Sequence, residues 1–296
     1  MLRLRSSSRG QCRAMRRIAR RHERRWTLQR LVRSALRNDV DRSWRAISAL
    51  HFRGSPRTLS LAAALCRSTS WRHRELGCNI AAQLRQRHGR DPIASTEYAV
   101  EETQALLLTG LQYRRDEVVR AAVAGVGHRS FDAALPELVR LSTHADPQTR
   151  WSVAAALGRY PQPAAIEALL RLARDDDADV RDWATFGLGT MSDTDSPEIR
   201  ELLWHNLADD DEDVRGEALV GLAKRHDPRA VDAVLRALAG EVRVYELMAA
   251  GELASPSLLD GLLALHPTIA DVSTYWLGHL DDAITACTPA ESTAAP

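Results

Sequence analysis

Apolar and small residues return along this chain with two superposed rhythms, one set by the turn of a helix and one of about 31 residues. Five segments line up: "EVVRAAVAGVG" (117–127), "QTRWSVAAALG" (148–158), "DVRDWATFGLG" (179–189), "DVRGEALVGLA" (213–223) and "EVRVYELMAAG" (241–251). Within them the apolar residues fall at i, i+4, i+7 and i+8, as in Val118, Ala122, Gly125 and Val126, or Val180, Ala184, Gly187 and Leu188, or Val214, Ala218, Gly221 and Leu222. That spacing draws one stripe on an α-helix. The third member is always small (Gly125, Ala156, Gly187, Gly221, Ala249), a choice that costs helix propensity and lets a neighbouring helix come close. The Gly that ends most segments is expected to be a left-handed C-cap. After it come a few polar residues and a second helix, "ALPELVRLS", "AIEALLRLA", "EIRELLWHN", "AVDAVLRAL" or "SLLDGLLAL". Ser196-Pro197, Asp227-Pro228 and Ser255-Pro256 each supply a capping side chain followed by Pro at the first helical position.

A two-helix unit repeated at this period is a helical hairpin, and stacked hairpins make an all-α solenoid, a right-handed superhelix. Looser copies extend the pattern toward the N-terminus through "DRSWRAISALHFRGSPRTLSLAAALC" (41–66) and "WRHRELGCNIAAQLRQRHG" (71–89), with a longer loop over 88–95. At the other end, 266–280 supplies a last helix whose Trp276 and Leu280 cover the end of the stack. The expected organisation is an Arg-rich leader over 1–37, a solenoid of about seven hairpins over 38–287 and a disordered tail over 288–296.

The phrases "DADVRDWATFGLG" (177–189) and "DEDVRGEALVGLA" (211–223) resemble the units of bacterial HEAT-repeat proteins of the phycobilin-lyase type, which carry an Asp loop, a Val-Arg pair and a closing Leu-Gly. The resemblance covers roughly residues 40–280 and implies the armadillo-like helical fold. It is less specific for activity, because the family holds scaffolds and lyase subunits as well as enzymes with added ligand residues.

Composition changes this picture at one end. Residues 1–37 hold thirteen Arg and one acid, Glu23, while the remaining 259 residues carry 27 basic and 38 acidic groups. A basic leader is attached to an acidic body. Of all the basic residues only Lys224 is lysine, a bias that points to codon pressure more than to selection for phosphate binding. The leader lacks the apolar core of a secretory signal, and three readings of it stay open: a gene start placed too far upstream, an arm touching RNA or anionic lipid, and an organellar transit peptide. No run of eighteen apolar residues occurs, so no helix is expected to span a membrane. Cys12, Cys66, Cys78 and Cys287 show neither CxxC pairing nor zinc-ligand spacing and read as reduced thiols of a cytoplasmic protein.

Candidate chemistry is sparse. The Asp runs are tested against a calcium loop, which needs Gly at its sixth place and a bidentate acid at its twelfth. Counting from Asp209 puts Val214 and Val220 there, and counting from Asp175 puts Val180 and Phe186 there. Asp146, Asp177 and Asp211 instead precede Arg150, Arg181 and Arg215 by four residues at helix starts, so they are expected to cap those helices and to form, with the Arg, a polar ladder along the seam of the repeats. A second row lies on the second helices: Arg140, Arg171, His205 and Arg236, with Trp204 beside it. In HEAT-like superhelices these helices line the concave face, so the row is a candidate surface for an acidic peptide or a phosphate-bearing ligand. Its competing explanation is a set of i, i+4 pairs, Glu167 with Arg171, Glu201 with His205 and Asp232 with Arg236, on a wet face. The His residues after position 50 form no HxxxH or HExxH, the single His-Glu dipeptide is His22-Glu23, and no GxSxG, P-loop or dinucleotide fingerprint appears. No metal, cofactor or catalytic residue is therefore expected. The expected function is non-catalytic binding of a protein or peptide by a monomer, with nucleic acid confined to the Arg-rich leader. The alternative is a tetrapyrrole-related lyase or lyase subunit, or a DNA-binding protein of the HEAT-like glycosylase type.

Overall fold

The computed structural model describes residues 26–89, 94–265 and 273–289. These residues form sixteen α-helices and one two-stranded sheet. The chain divides into two compact units, Met1–Leu157 and Gly158–Pro296.

The first unit contains α1 (Leu28–Ala35), α2 (Val40–His51), α3 (Pro56–Cys66), α4 (Trp71–Ala82), the strands β1 (Arg85–Arg87) and β2 (Ser95–Glu97), then α5 (Val100–Leu111), α6 (Asp116–Arg129), α7 (Leu135–Leu141) and α8 (Pro147–Leu157). Consecutive helices pack as pairs, α1 on α2, α3 on α4, α5 on α6 and α7 on α8, while α4, α6 and α8 stack as one layer. Leu31, Leu50, Ile80, Leu84, Leu107, Leu111, Leu138 and Leu157 are fully buried between these layers.

The leader expected over 1–37, disordered or helical, is described from residue 26, and its Leu28–Ala35 is a helix. Leu31 and Ala35 of α1 are buried in a core with Ala46, Ile47 and Leu50 of α2. Thr27 caps the helix by accepting from Arg30 N, and the Arg53 guanidinium donates to Trp26 O at 2.6 Å. Leu28, Leu31, Val32 and Ala35 make an i, i+3, i+4, i+7 stripe that the Arg content hides. Residues 1–25 lie outside the described residues. The loop expected over 88–95 is flanked by an antiparallel ladder pairing Arg85 with Glu97 and Arg87 with Ser95; residues 90–93 lie outside the described residues.

His51 faces the interior of this unit. Its Nε2 donates to Asn79 O at 2.7 Å, and burial pushes its pKa down to about 4, with His128 and Arg129 adding to the effect. The folded state therefore holds a neutral imidazole that the unfolded chain protonates near pH 6.5, so stability is lost as pH falls through 6.5 toward 4. Between pH 7 and pH 5 this one group is expected to remove about 2 kcal/mol. Urea denaturation at the two pH values checks it: the loss should shrink by that amount in His51→Gln, and an unchanged loss would remove His51 as its source.

The second unit contains α9 (Pro163–Leu172), α10 (Ala178–Phe186), which runs on into a π turn (Gly187–Met191), then α11 (Pro197–Asn206), α12 (Glu212–Lys224), α13 (Pro228–Leu238), α14 (Val244–Leu253), α15 (Leu259–Leu265) and α16 (Thr274–Cys287). The helices pair again as α9 on α10, α11 on α12, α13 on α14 and α15 on α16, with α10, α12, α14 and α16 stacked. Ser196 and Asp227 cap α11 and α13 by accepting from Ile199 N and Arg229 N. Trp276 and Leu280 of α16 are buried against α14, and Trp276 Nε1 donates to Val242 O at 3.1 Å. Residues 266–272 and 290–296, which include parts of the expected last helix and of the tail, lie outside the described residues.

The Gly that closes each repeat is not the expected left-handed cap. Gly127, Gly158, Gly189 and Gly251 do not carry a positive φ; three helices instead reach it three residues beyond the closing small residue, at Ser130, His226 and Ala254. The closing glycines serve the seam between repeats. A Cβ built on Gly127 would meet Ala156 at 3.6 Å, one on Gly158 would meet Gly187 at 3.1 Å, and one on Gly189 would meet Gly221 at 3.1 Å. The partner each time is the small third member of the next repeat's stripe, so helices of the stacked layer touch backbone to backbone there.

Candidate functional site

The acids at the helix starts share one geometry. Asp146 Oδ2 accepts from Thr149 N at 3.1 Å, Asp177 Oδ1 from Val180 N at 3.2 Å, and Asp211 Oδ1 from Val214 N at 3.1 Å. Each satisfies an amide that the first turn of a helix leaves without an intrahelical partner. The Arg four residues later turns back to its own loop. Arg150 donates to His144 O and Ala145 O, Arg181 to Asp175 O and Asp176 O, and Arg215 to Asp209 O and Asp210 O. Across the seam, Arg181 reaches Asp209 of the next repeat's loop with two bonds of 2.8 Å, and Arg120 reaches the capping Asp146 of the next repeat at 2.6 Å. These groups fix loops, and nothing in their arrangement offers a free ligand position.

The row expected on the second helices is divided between the two units, Arg140 in the first and Arg171, His205 and Arg236 in the second. Arg140, in the first unit, donates to Glu137 Oε2 at 2.7 Å and to Leu111 O at 3.3 Å. Arg171, on α9, donates to Glu167 O, and Arg236 is exposed on α13. Trp204 and His205 of α11 line an open groove of about 510 Å³ with Arg174, Glu201 and Ala208. Trp204 is 37% exposed, and the Arg229 guanidinium lies 5.0 Å from its ring centre, within cation–π range. Arg229 is itself fixed: it donates to Glu201 Oε1 at 2.7 Å and to both carboxylate oxygens of Asp227 at 2.9 Å. Arg229's bonds, with help from its own backbone N–H and from Arg200, hold the Asp227 carboxyl down at about 2, against the opposing effect of burial. Asp227 is thus charged throughout the physiological range, and the cation above the indole is pre-positioned.

Glu201 entered the sequence reading only as a partner of His205, and Arg174 and Arg229 escaped it because neither belongs to the row on the second helices. The signal available was Trp204 itself, a large aromatic on an otherwise polar helix face.

A second arginine has a structural task the sequence did not announce. The Arg225 guanidinium is buried and donates to Leu188 O, Gly189 O, Ser192 O and Thr194 O around the π turn, and to Gly221 O. Arg129, in the other unit, occupies the same place two residues after the closing small residue and donates to Ala82 O and Leu84 O at the end of α4. Both clasp backbone carbonyls at or just beyond a helix end, of which Leu84 O also accepts from Tyr98 N. Burial lowers the pKa of both groups.

Residues 104–189 match the family of HEAT repeats. No curated protein matches the chain. Among solved structures, YibA of E. coli is 21% identical, with 88% of this chain covering 93% of that one at a TM-score of 0.64. Kap121p is 13% identical over 88% of this chain and 33% of that one, at a TM-score of 0.59, so the chain spans about a third of it. The complex of CpcE and CpcF of phycocyanin lyase from a Nostoc species is 17% identical over 88% of this chain and 95% of that one, at a TM-score of 0.45. At these identities the likenesses show the fold alone: an α-solenoid of HEAT-type hairpins. No helix among the described residues is long and apolar enough to cross a membrane.

Proposed function

We propose that this HEAT-repeat α-solenoid is a non-catalytic scaffold that binds a protein partner through α11, with Trp204 as the anchor. The observation that carries the reading is a half-exposed indole held between a fixed guanidinium and an open groove. Core packing does not call for Trp204, whereas a rigid aromatic with a few polar neighbours is the composition of an interface hot spot. Arg174 lines the groove and the Arg229 guanidinium lies over its indole, cations that suit an acidic peptide segment. Repeat arrays lend themselves to this task because positions outside the repeated stripe vary without loss of fold.

The test compares proteins captured from the native cell by the immobilised chain and by Trp204→Ala. A partner that binds the full chain should lose at least tenfold in affinity, with the thermal midpoint unchanged because the side chain is not in the core. Identical partners at identical affinity would overturn the assignment of Trp204. Reversing Arg171 and Arg236 to Glu, the outlying members of the expected row, is predicted to have a smaller effect than Trp204→Ala.

A further inference from the structure

The start of the first unit carries a feature that the scaffold reading leaves unused. Between residues 26 and 74 the chain has ten Arg against two acids, Asp39 and Asp41, and three of its seven Trp. Asp39 caps α2 through Arg42 N and pairs with the Arg42 side chain, so it neutralises little else. The near-zero net charge of the chain thus conceals a strongly positive segment within the folded part, not only in the residues before it.

In the same stretch a cavity of about 320 Å³ opens between the α1–α2 connection and the start of α4. Trp44 lines it and is 55% exposed, since the buried face of α2 is taken by Ala46, Ile47 and Leu50. No ring or cation lies over Trp44 among the described residues, whereas Trp71, which also lines the cavity, has the Arg115 guanidinium 4.9 Å from its ring centre. The exposed Arg37 and Arg72 and the amides of Asn38 and Asn79 complete the set. The single acid of the lining, Glu75, is half-buried, and burial together with nearby Glu117 raises its carboxyl pKa.

We propose that this cavity binds single-stranded nucleic acid, with one unpaired base stacked on the Trp44 indole and the flanking phosphates met by Arg37 and Arg72. Every base presents a π-face, so an uncovered indole beside cations recognises a single strand without reading its sequence. The two amides can bond base edges, which a lipid headgroup does not present. A duplex hides its base faces in the stack, so a recessed indole has nothing there to meet. An acidic peptide would be served by the cations and would leave the indole and the amides without a role.

Fluorescence anisotropy of the full chain with a labelled oligothymidylate of about ten nucleotides at low salt provides the test. Trp44→Ala is expected to weaken binding about tenfold with an unchanged salt slope, and Trp44→Phe to recover most of it. The pair Arg37→Gln and Arg72→Gln should instead lower the salt slope by about 1.4. Since all three side chains are exposed, the helical circular dichroism of the variants should match that of the parent. Binding indifferent to Trp44, tighter binding to a duplex of the same length, or capture by phosphatidylserine vesicles with no capture of the oligonucleotide would each overturn the proposal.

Discussion

Arg225→Met is expected to lower the stability of the second unit by about 3–5 kcal/mol and its thermal midpoint by on the order of 10 °C. The guanidinium meets five backbone oxygens at 2.6 to 3.3 Å with a side chain only 5% exposed. A methionine fills much of the same volume and supplies no donor, so carbonyls at the end of the π turn are left buried without partners. Leaving buried acceptors unpaired costs more than the net worth of the bonds themselves, which is why the expected loss is large for one side chain. Arg225→Lys should recover only a minor part, because one ammonium cannot span carbonyls on both sides of the turn as a planar fork does. Urea titration followed by circular dichroism measures the loss. Equal stability of Arg225→Met and the parent would mean that water replaces the guanidinium, and the clasp would then have no energetic role.

The second large effect is expected at the seam. Gly221→Val should cost about 3 kcal/mol, since its first added carbon would lie 2.6 Å from Gly189 Cα and within 3.2 Å of both Leu203 methyls. The neighbour that must yield is backbone, held in the same π turn that Arg225 clasps. Gly278→Ala is the matched control: it sits within α16 with open space around its Cβ position, and should stabilise by about 0.5–1 kcal/mol through helix propensity alone. Opposite signs from two helical glycines, read as shifts in urea midpoint, would tie the cost to the seam. A loss at Gly221 no greater than that of an ordinary surface change would sink it.

How far the sequence carried depends on the range of the interaction. Stripes such as Val214, Ala218, Gly221 and Leu222 are local patterns, and they gave the helices and the layer they stack in. The capping acids were legible for the same reason, because Asp177 and the amide of Val180 are one helical turn apart. What a closing glycine does was not legible. A C-cap glycine and a contact glycine are the same letter, and only a partner some thirty residues away separates them. Arg225 escaped for that reason too, since four of its five acceptors lie 31 to 37 residues earlier. At the candidate site the sequence marks equivalent places in successive repeats, but it does not say that Arg140 will turn to Glu137 or that Arg229 will cross to Trp204. The helix Leu28–Ala35 was hidden by composition, its four apolar positions outweighed by the Arg around them.

The glycine seam also limits how such a chain can grow or shrink. Because the closing small residue of one repeat meets the small third residue of the next, adding or excising one complete period re-forms an equivalent pair. A fraction of a period would set a side chain against backbone. Copy number is then a free variable that changes in whole steps, and most hairpins are interchangeable. The hairpins bearing Arg129 and Arg225 are exceptions; the Arg225 guanidinium, for one, fits the carbonyls of one particular π turn. Moving its hairpin to another place in the array would leave both the arginine and that turn without a counterpart.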